Sequence, residues 1–273
     1  MNTRMNETLR FLSAACAGLL LAACATSPLG RTQLMTVSDQ DMETMGVQAF
    51  EQISAGTPQS KDPAANAYVN CVADAITGAL PQGEGGPGDG PWEVRVFDDP
   101  TANAFALPGR KIGVHTGLLD VAKNQDQLAT VIGHEVAHVL ARHGAERVSA
   151  EQVKQVGFSA AAAVADPENP SHGIGLQLLG VGVEYAAILP YSRTHESEAD
   201  LYGLDLMAAA GFDPRESVPL WENMAATGGD RPMEFLSTHP SPETRIEDLN
   251  ERIPQVLTLQ EQARAEGRRP RCR

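Results

Sequence analysis

The chain has 273 residues and carries 35 Asp and Glu against 21 Lys and Arg, a formal net charge of -14. That excess repels a phosphate backbone, and no basic stripe with interleaved aromatics offsets it, so nucleic-acid binding is excluded as a main function. With 42% hydrophobic residues and no internal repeat, the length suits one large domain with its own core.

Arg4 and Arg10 lead into an apolar run over 11–23 that is short for a bilayer and ends in small residues. This is the pattern of a secretion signal covering 1–23. Its end, Leu21-Ala22-Ala23-Cys24, resembles a bacterial lipobox. That resemblance implies cleavage before Cys24 and lipidation of Cys24, a tether that does not span the membrane. In such lipoproteins Ala25, where an Asp would retain the protein, implies the outer membrane of a Gram-negative bacterium, facing the periplasm. An ordinary cleaved signal with a free Cys24 is the alternative. Loss of 1–23 takes the net charge to -15. Cys16 leaves with the signal, so Cys71 and Cys272 remain. In an oxidising compartment they either bridge and pin the tail, or stay a buried thiol and a loose one.

Residues 24–36 read as a lipidated tether and 37–260 as the folded domain. A first helix is expected over 37–55, capped by Ser38 or Asp39, with Met42, Met45, Val47 and Phe50 on one stripe. A second, over 64–80, follows Pro63, and the Gly- and Pro-rich stretch 81–91 is a loop. Alternation gives strands over 92–97, 103–107 and 111–115, with Pro108-Gly109 as the turn between the last two. That hairpin either exposes an edge for a substrate peptide or simply packs the core.

A short helix over 116–122 precedes a long one over 125–143. There Leu128, Val131, Ile132, Val136, Val139 and Leu140 bury one side, and Gly144 is the stop signal. Residues 151–165 read as helix, 166–172 as loop and 174–189 as an apolar core helix ended by Pro190. Further helices are expected through Glu196 and Asp200 to Ala210, from Asp213-Pro214 to Trp221, and from Ser241-Pro242 to Arg252. The basic tail 261–273 reads as solvated and frayed.

The chemistry is concentrated in His134-Glu135-Val136-Ala137-His138, on the long helix. Positions i and i+4 share a helix face, so both imidazoles can bind one zinc ion while Glu135 addresses the metal-bound water as general base. A hydrolytic zinc site takes three protein ligands and keeps one position open, and Glu196 supplies the third. Asp200, at i+4 from Glu196, can accept the second ring N–H of a ligand histidine. Glu198 is the rival ligand, otherwise solvent-facing or structural. His239 is either a fourth ligand plugging the resting site, a donor to the developing oxyanion, or a surface turn histidine. Arg193 and His195 flank Glu196, with a salt bridge as the reading for Arg193. His115, His143 and His172 have no partner spacing and receive no role.

The HEVAH helix, Asn103-Ala104-Phe105-Ala106-Leu107-Pro108-Gly109, the block from Ser192 to Asp200 and Ser237-Thr238-His239-Pro240 together resemble metallopeptidase family forty-eight. That family includes HtpX-type heat-shock proteases, CAAX prenyl proteases and soluble periplasmic relatives. The resemblance covers 92–252 and implies an α+β, mostly helical zincin-like domain with a small sheet beside the HExxH helix. It also places zinc binding on Glu196 and pairs it with Asp200. Spanning helices are lacking, which argues against prenyl-protein processing. The expected function is zinc-dependent endopeptidase action, one Zn2+ per chain, on unfolded or misassembled envelope polypeptides. A chaperone-like or scaffolding lipoprotein, its cleft blocked by His239 or by 166–172, is the alternative. A closed structural zinc site is a weaker third reading, since such sites are usually rich in Cys.

Overall fold

A computed structural model describes residues 24–81, 90–165, 191–227, 234–240 and 244–273. The expected signal, residues 82–89 of the expected loop 81–91, the loop 166–172 with His172, the apolar helix over 174–189 and the Ser241-Pro242 cap lie outside the described residues. The fold is α+β and mostly helical with small sheets.

Strands β1 (Cys24–Thr26) and β2 (Thr32–Leu34) pair antiparallel. Residues 24–36 are therefore not the free tether expected from composition. Ser27 and Gln33 are buried, and Gln33 Nε2 donates to Ala141 O at 2.7 Å. Arg31 pairs with Glu146 and Glu198. These polar side chains find their partners on distant helices, a tertiary effect with no local sequence signature.

Helix α1 (Asp39–Gly56) starts where Ser38 accepts from the Asp41 backbone N–H and buries Met42, Ala49 and Phe50. In α2 (Pro63–Gly78) Asp62 caps the first turn and Pro63 stands at its start, where no N–H is missed. Three strands follow: β3 (Glu93–Phe97), β4 (Ala104–Leu107) and β5 (Lys111–His115), in the spatial order β3-β5-β4. β5 runs parallel to β3 and antiparallel to β4, so β4 is an edge. Gly109, at φ 85°, makes the β4–β5 turn.

The stretch 116–122 closes as a 3-10 turn, Thr116–Asp120. Helix α3 (Gln125–Leu140) is capped by Asn124, whose side chain accepts from the Asp126 and Gln127 N–H groups. It stops short of the expected residue 143 because Arg142 takes a φ of 57° and α4 (His143–Ala165) begins at once. Gly144 therefore lies within the next helix and is not a stop. Helix α5 (Arg193–Ala209) starts on a Ser192 cap. The expected helix from Asp213-Pro214 opens as a 3-10 turn, Pro214–Glu216, before α6 (Ser217–Thr227). A short α7 (Glu234–Thr238) and a long α8 (Arg245–Ala265) complete the chain.

Helices α3 and α5 meet backbone to backbone. A Cβ on Gly133 would stand 2.9 Å from Gly203 O, and one on Gly203 would stand 2.9 Å from His134 N. Only glycine permits that approach, and it brings the His134 turn of α3 against α5.

α8 continues beyond Arg252 in spite of Pro254, and the basic tail folds back. Arg264 Nε donates to Gly211 O at 2.9 Å, Cys272 N donates to Gln125 Oε1 at 2.8 Å, and Cys71 and Cys272 form a disulfide. The tail is held, not frayed. Because this bridge closes a separation of 201 residues, Cys272→Ser is expected to cost about 2–5 kcal/mol. Urea unfolding with and without reductant checks this: reductant should lower the wild-type midpoint and leave the variant unmoved.

Candidate metal centre

The HEVAH turn of α3 is buried, and its two rings point the same way: His134 Nε2 and His138 Nε2 are 3.0 Å apart. From α5, Glu196 brings Oε2 to 3.4 Å from His134 Nε2 and Oε1 to 3.4 Å from His138 Nε2. His239, just after α7, sets Nδ1 3.3 Å from His134 Nε2 and 3.1 Å from Glu196 Oε1. All four side chains are buried, and their candidate ligand atoms lie within 4.8 Å of one another.

The far sides of the two rings show what the near sides hold. Asp200 Oδ1 sits 2.9 Å from His134 Nδ1, while Asp200 Oδ2 accepts from Arg245 Nε at 2.6 Å. A carboxylate only accepts, so His134 carries a proton on Nδ1. His138 Nδ1 is 2.9 Å from His143 Nδ1, and His143 Nε2 is 3.1 Å from Glu198 Oε2. By the same reasoning His143 donates from Nε2, accepts at Nδ1, and leaves the His138 proton on Nδ1. With Nδ1 protonated on both rings, Nε2 is the atom each ring has left for a metal, and the two Nε2 atoms face each other beside the Glu196 carboxylate.

Such a group attracts positive charge. Burial works against protonating His134, yet hydrogen bonds to Asp200 and Glu196 outweigh it and push the ring up to about 10. Burial holds His138 well below its ordinary value. Burial also opposes ionisation of Glu196, but hydrogen bonding with the surrounding imidazoles, His134 first, holds it far below the usual carboxylate range. A metal ion would take the place of protons shared within this group. Imidazoles with one carboxylate form a donor set that suits zinc, so the residues fit the ion.

Glu135 faces the group from the same turn. Its Oε2 accepts from the Ala106 N–H of β4 at 3.2 Å, and its Oε1 lies 3.4 Å from His239 Nε2. That Oε1 is buried without a hydrogen-bond partner among the described residues, and burial raises the carboxyl pKa. This is the environment of a proton acceptor. Tyr191 stacks on His138 at 3.9 Å between ring centroids, and Trp221 and Phe235 pack against His134.

Some side chains stand elsewhere than the sequence suggested. Glu198, read as rival ligand or as solvent-facing or structural, is buried and structural: it is not among the four clustered residues, and it holds His143 and Arg31. His143, given no role, holds the back of His138. The five-residue step from His138 falls across the Arg142 break, so helical periodicity does not pair them. His195 turns to Glu146, with Nε2 at 3.1 Å from Oε2. His115 sits against Thr101, Phe97 and Phe105. Arg245 on α8 was not singled out at all. It donates to Glu196 Oε2 at 2.9 Å as well as to Asp200, under the ring of Trp221. An Arg in the first turn of a late helix carries no signal of this kind.

The family model for Peptidase family M48 matches residues 59–253. Among curated relatives, the Mitochondrial metalloendopeptidase OMA1 of Schizosaccharomyces pombe is 40% identical over 179 residues, 64% of this chain and 51% of that protein. The Beta-barrel assembly-enhancing protease of Yersinia pestis is 28% identical over 248 residues, 88% of this chain and 49% of that protein. The chain thus spans about half the length of these two relatives.

Proposed function

This chain belongs to peptidase family M48, and from that premise we propose a zinc-dependent endopeptidase in which His134, His138 and Glu196 hold the metal and Glu135 is the general base. The observation that carries this reading is the buried His134–His138–Glu196 cluster, flanked by a Glu135 oxygen with no hydrogen-bond partner among the described residues.

When bound, zinc polarises the scissile carbonyl and makes water a competent nucleophile near neutral pH. Glu135 takes the attacking water's proton and passes it to the leaving amine nitrogen, a task suited to a buried carboxyl whose proton affinity is raised. Asp200 and Arg245 hold His134 and Glu196 in place; His143 and Glu198 hold His138. The β4 edge receives substrate as an added strand beside Glu135.

His239 Nδ1 stands among the ligand atoms. This favours its role as a fourth ligand at rest, withdrawn when substrate enters. The same observation supports the second reading, a scaffold or chaperone whose cleft stays plugged. Misfolded or misassembled envelope polypeptides are the proposed substrates; the Yersinia relative is named for enhancing beta-barrel assembly. The proposed location is the outer membrane facing the periplasm, with Cys24 carrying lipid. No helix among the described residues is long and apolar enough to cross a membrane.

Incubation of the purified chain with an unfolded outer-membrane polypeptide tests the activity. Fragments are expected, lost on chelation and restored by zinc. Fragments indifferent to chelation, or none with zinc bound, contradict the reading.

A further inference from the structure

We propose that the N-terminal hairpin is part of the metal site, with Arg31 as a positioning residue that sets the ring of His138 through Glu198 and His143; this rests on the zinc reading above. The chain of contacts is continuous. Arg31 Nε donates to Glu198 Oε2 at 2.8 Å, the same oxygen accepts from His143 Nε2 at 3.1 Å, and His143 Nδ1 lies 2.9 Å from His138 Nδ1. Glu198 and His143 are both buried.

The guanidinium is itself fixed from the other side. Its Nη1 and Nη2 each donate to a Glu146 oxygen at 2.7 Å, and Glu146 also accepts from Gln33 Nε2 at 2.9 Å and from His195 Nε2 at 3.1 Å. One planar fork between β1 and β2 thus bridges a carboxylate of α4 and a carboxylate of α5, a geometry that Arg satisfies and Lys does not.

Direction gives the contact its consequence. His138 presents a lone pair at Nε2 only if its proton stays on Nδ1, which requires His143 to accept at Nδ1 and donate from Nε2. Glu198 Oε2 must therefore stay on His143 Nε2, and Arg31, which donates to that same oxygen, is a charged group that holds it there. Without Arg31 the Glu198 carboxylate is freed to turn away from His143 Nε2, and once that acceptor is lost the tautomer in which His138 Nε2 bears a hydrogen and cannot bind metal becomes accessible. The hairpin lies remote from the HEVAH turn in sequence and touches no ligand, yet it sets the affinity of the site.

The test compares full-length wild type with Arg31→Met, Glu198→Gln, the double variant and Thr36→Val. Thr36→Val removes a hairpin bond to Gln152 that lies off this path. Zinc affinity is read by chelator competition, histidine tautomers by nitrogen-15 NMR of the zinc-free chain, and stability by zinc-free thermal unfolding. Arg31→Met is expected to weaken zinc binding about tenfold and to give His138 a second tautomer. Thr36→Val should bind as wild type, and the double variant should bind no more weakly than Glu198→Gln alone. If Arg31→Met does not fold, Arg31→Lys carries the test, with a smaller loss in the same direction. Unchanged affinity in a folded Arg31 variant, or losses that add in the double variant, overturn the positioning role and leave the peptidase reading standing. A wild type that binds no zinc overturns both.

Discussion

Glu135→Gln is expected to lower kcat/KM for peptide hydrolysis by about a hundredfold to ten-thousandfold while leaving zinc content and unfolding temperature close to wild type. The amide has nearly the carboxylate's shape and keeps an oxygen for the Ala106 N–H that now reaches Glu135 Oε2 at 3.2 Å. What it loses is the ability to take a proton. Burial raises the affinity of this carboxyl for a proton, and its second oxygen has no hydrogen-bond partner among the described residues to compete for that role. Steady-state kinetics on a quenched peptide, alongside zinc analysis of the same preparation, decides it. A loss below about tenfold would shift the proton transfer to another group, for which His239, with Nε2 3.4 Å from Glu135 Oε1, is the candidate among the described residues. The same variant separates the two functional readings, because a plugged scaffold keeps its cellular activity without this carboxylate.

Arg245→Leu is expected to cost about 3–5 kcal/mol of stability in the zinc-free chain. The guanidinium is almost wholly buried, pairs with Asp200 at 2.6 Å and with Glu196 at 2.9 Å, and lies 3.9 Å over the Trp221 ring. Removing one partner leaves two buried carboxylates facing each other with too little positive charge. Zinc binding should return part of the loss, because the cation neutralises the same pair and binds only the folded state. Arg252→Leu is the comparator: its pair with Asp205 is partly exposed, so about 1 kcal/mol or less is expected. Urea titrations of the three proteins with and without zinc give the comparison. Equal costs at the two positions, or no recovery on adding zinc to Arg245→Leu, would show that the buried pair is not coupled to the metal group.

Much of the centre was legible because its geometry is local. The i, i+4 spacing puts His134 and His138 on one face of α3, and the same spacing puts Glu196 and Asp200 on one face of α5. Alternation located β3, β4 and β5, whose edge strand supplies the Ala106 N–H. What was not legible depends on contacts between distant segments. Gly133 and Gly203 look like weak helix positions until the two backbones touch. Arg142 carries no sign that it takes a positive φ, so α3 appears longer than it is and the pairing of His143 with His138 is hidden. Arg31 and Arg245 are ordinary polar residues until Glu198, Asp200 and Glu196 are brought to them. The segment 24–36 and the basic tail looked mobile by composition, yet a buried Gln33 and the Cys71–Cys272 bridge tie both ends to the body.

The most direct measurement of the central claim is the zinc stoichiometry of the full chain after loading and exhaustive dialysis, set beside that of His138→Ala. The account predicts one zinc ion per wild-type chain and almost none in the variant; a wild type that retains no zinc, or a variant that retains as much as the wild type, would contradict it.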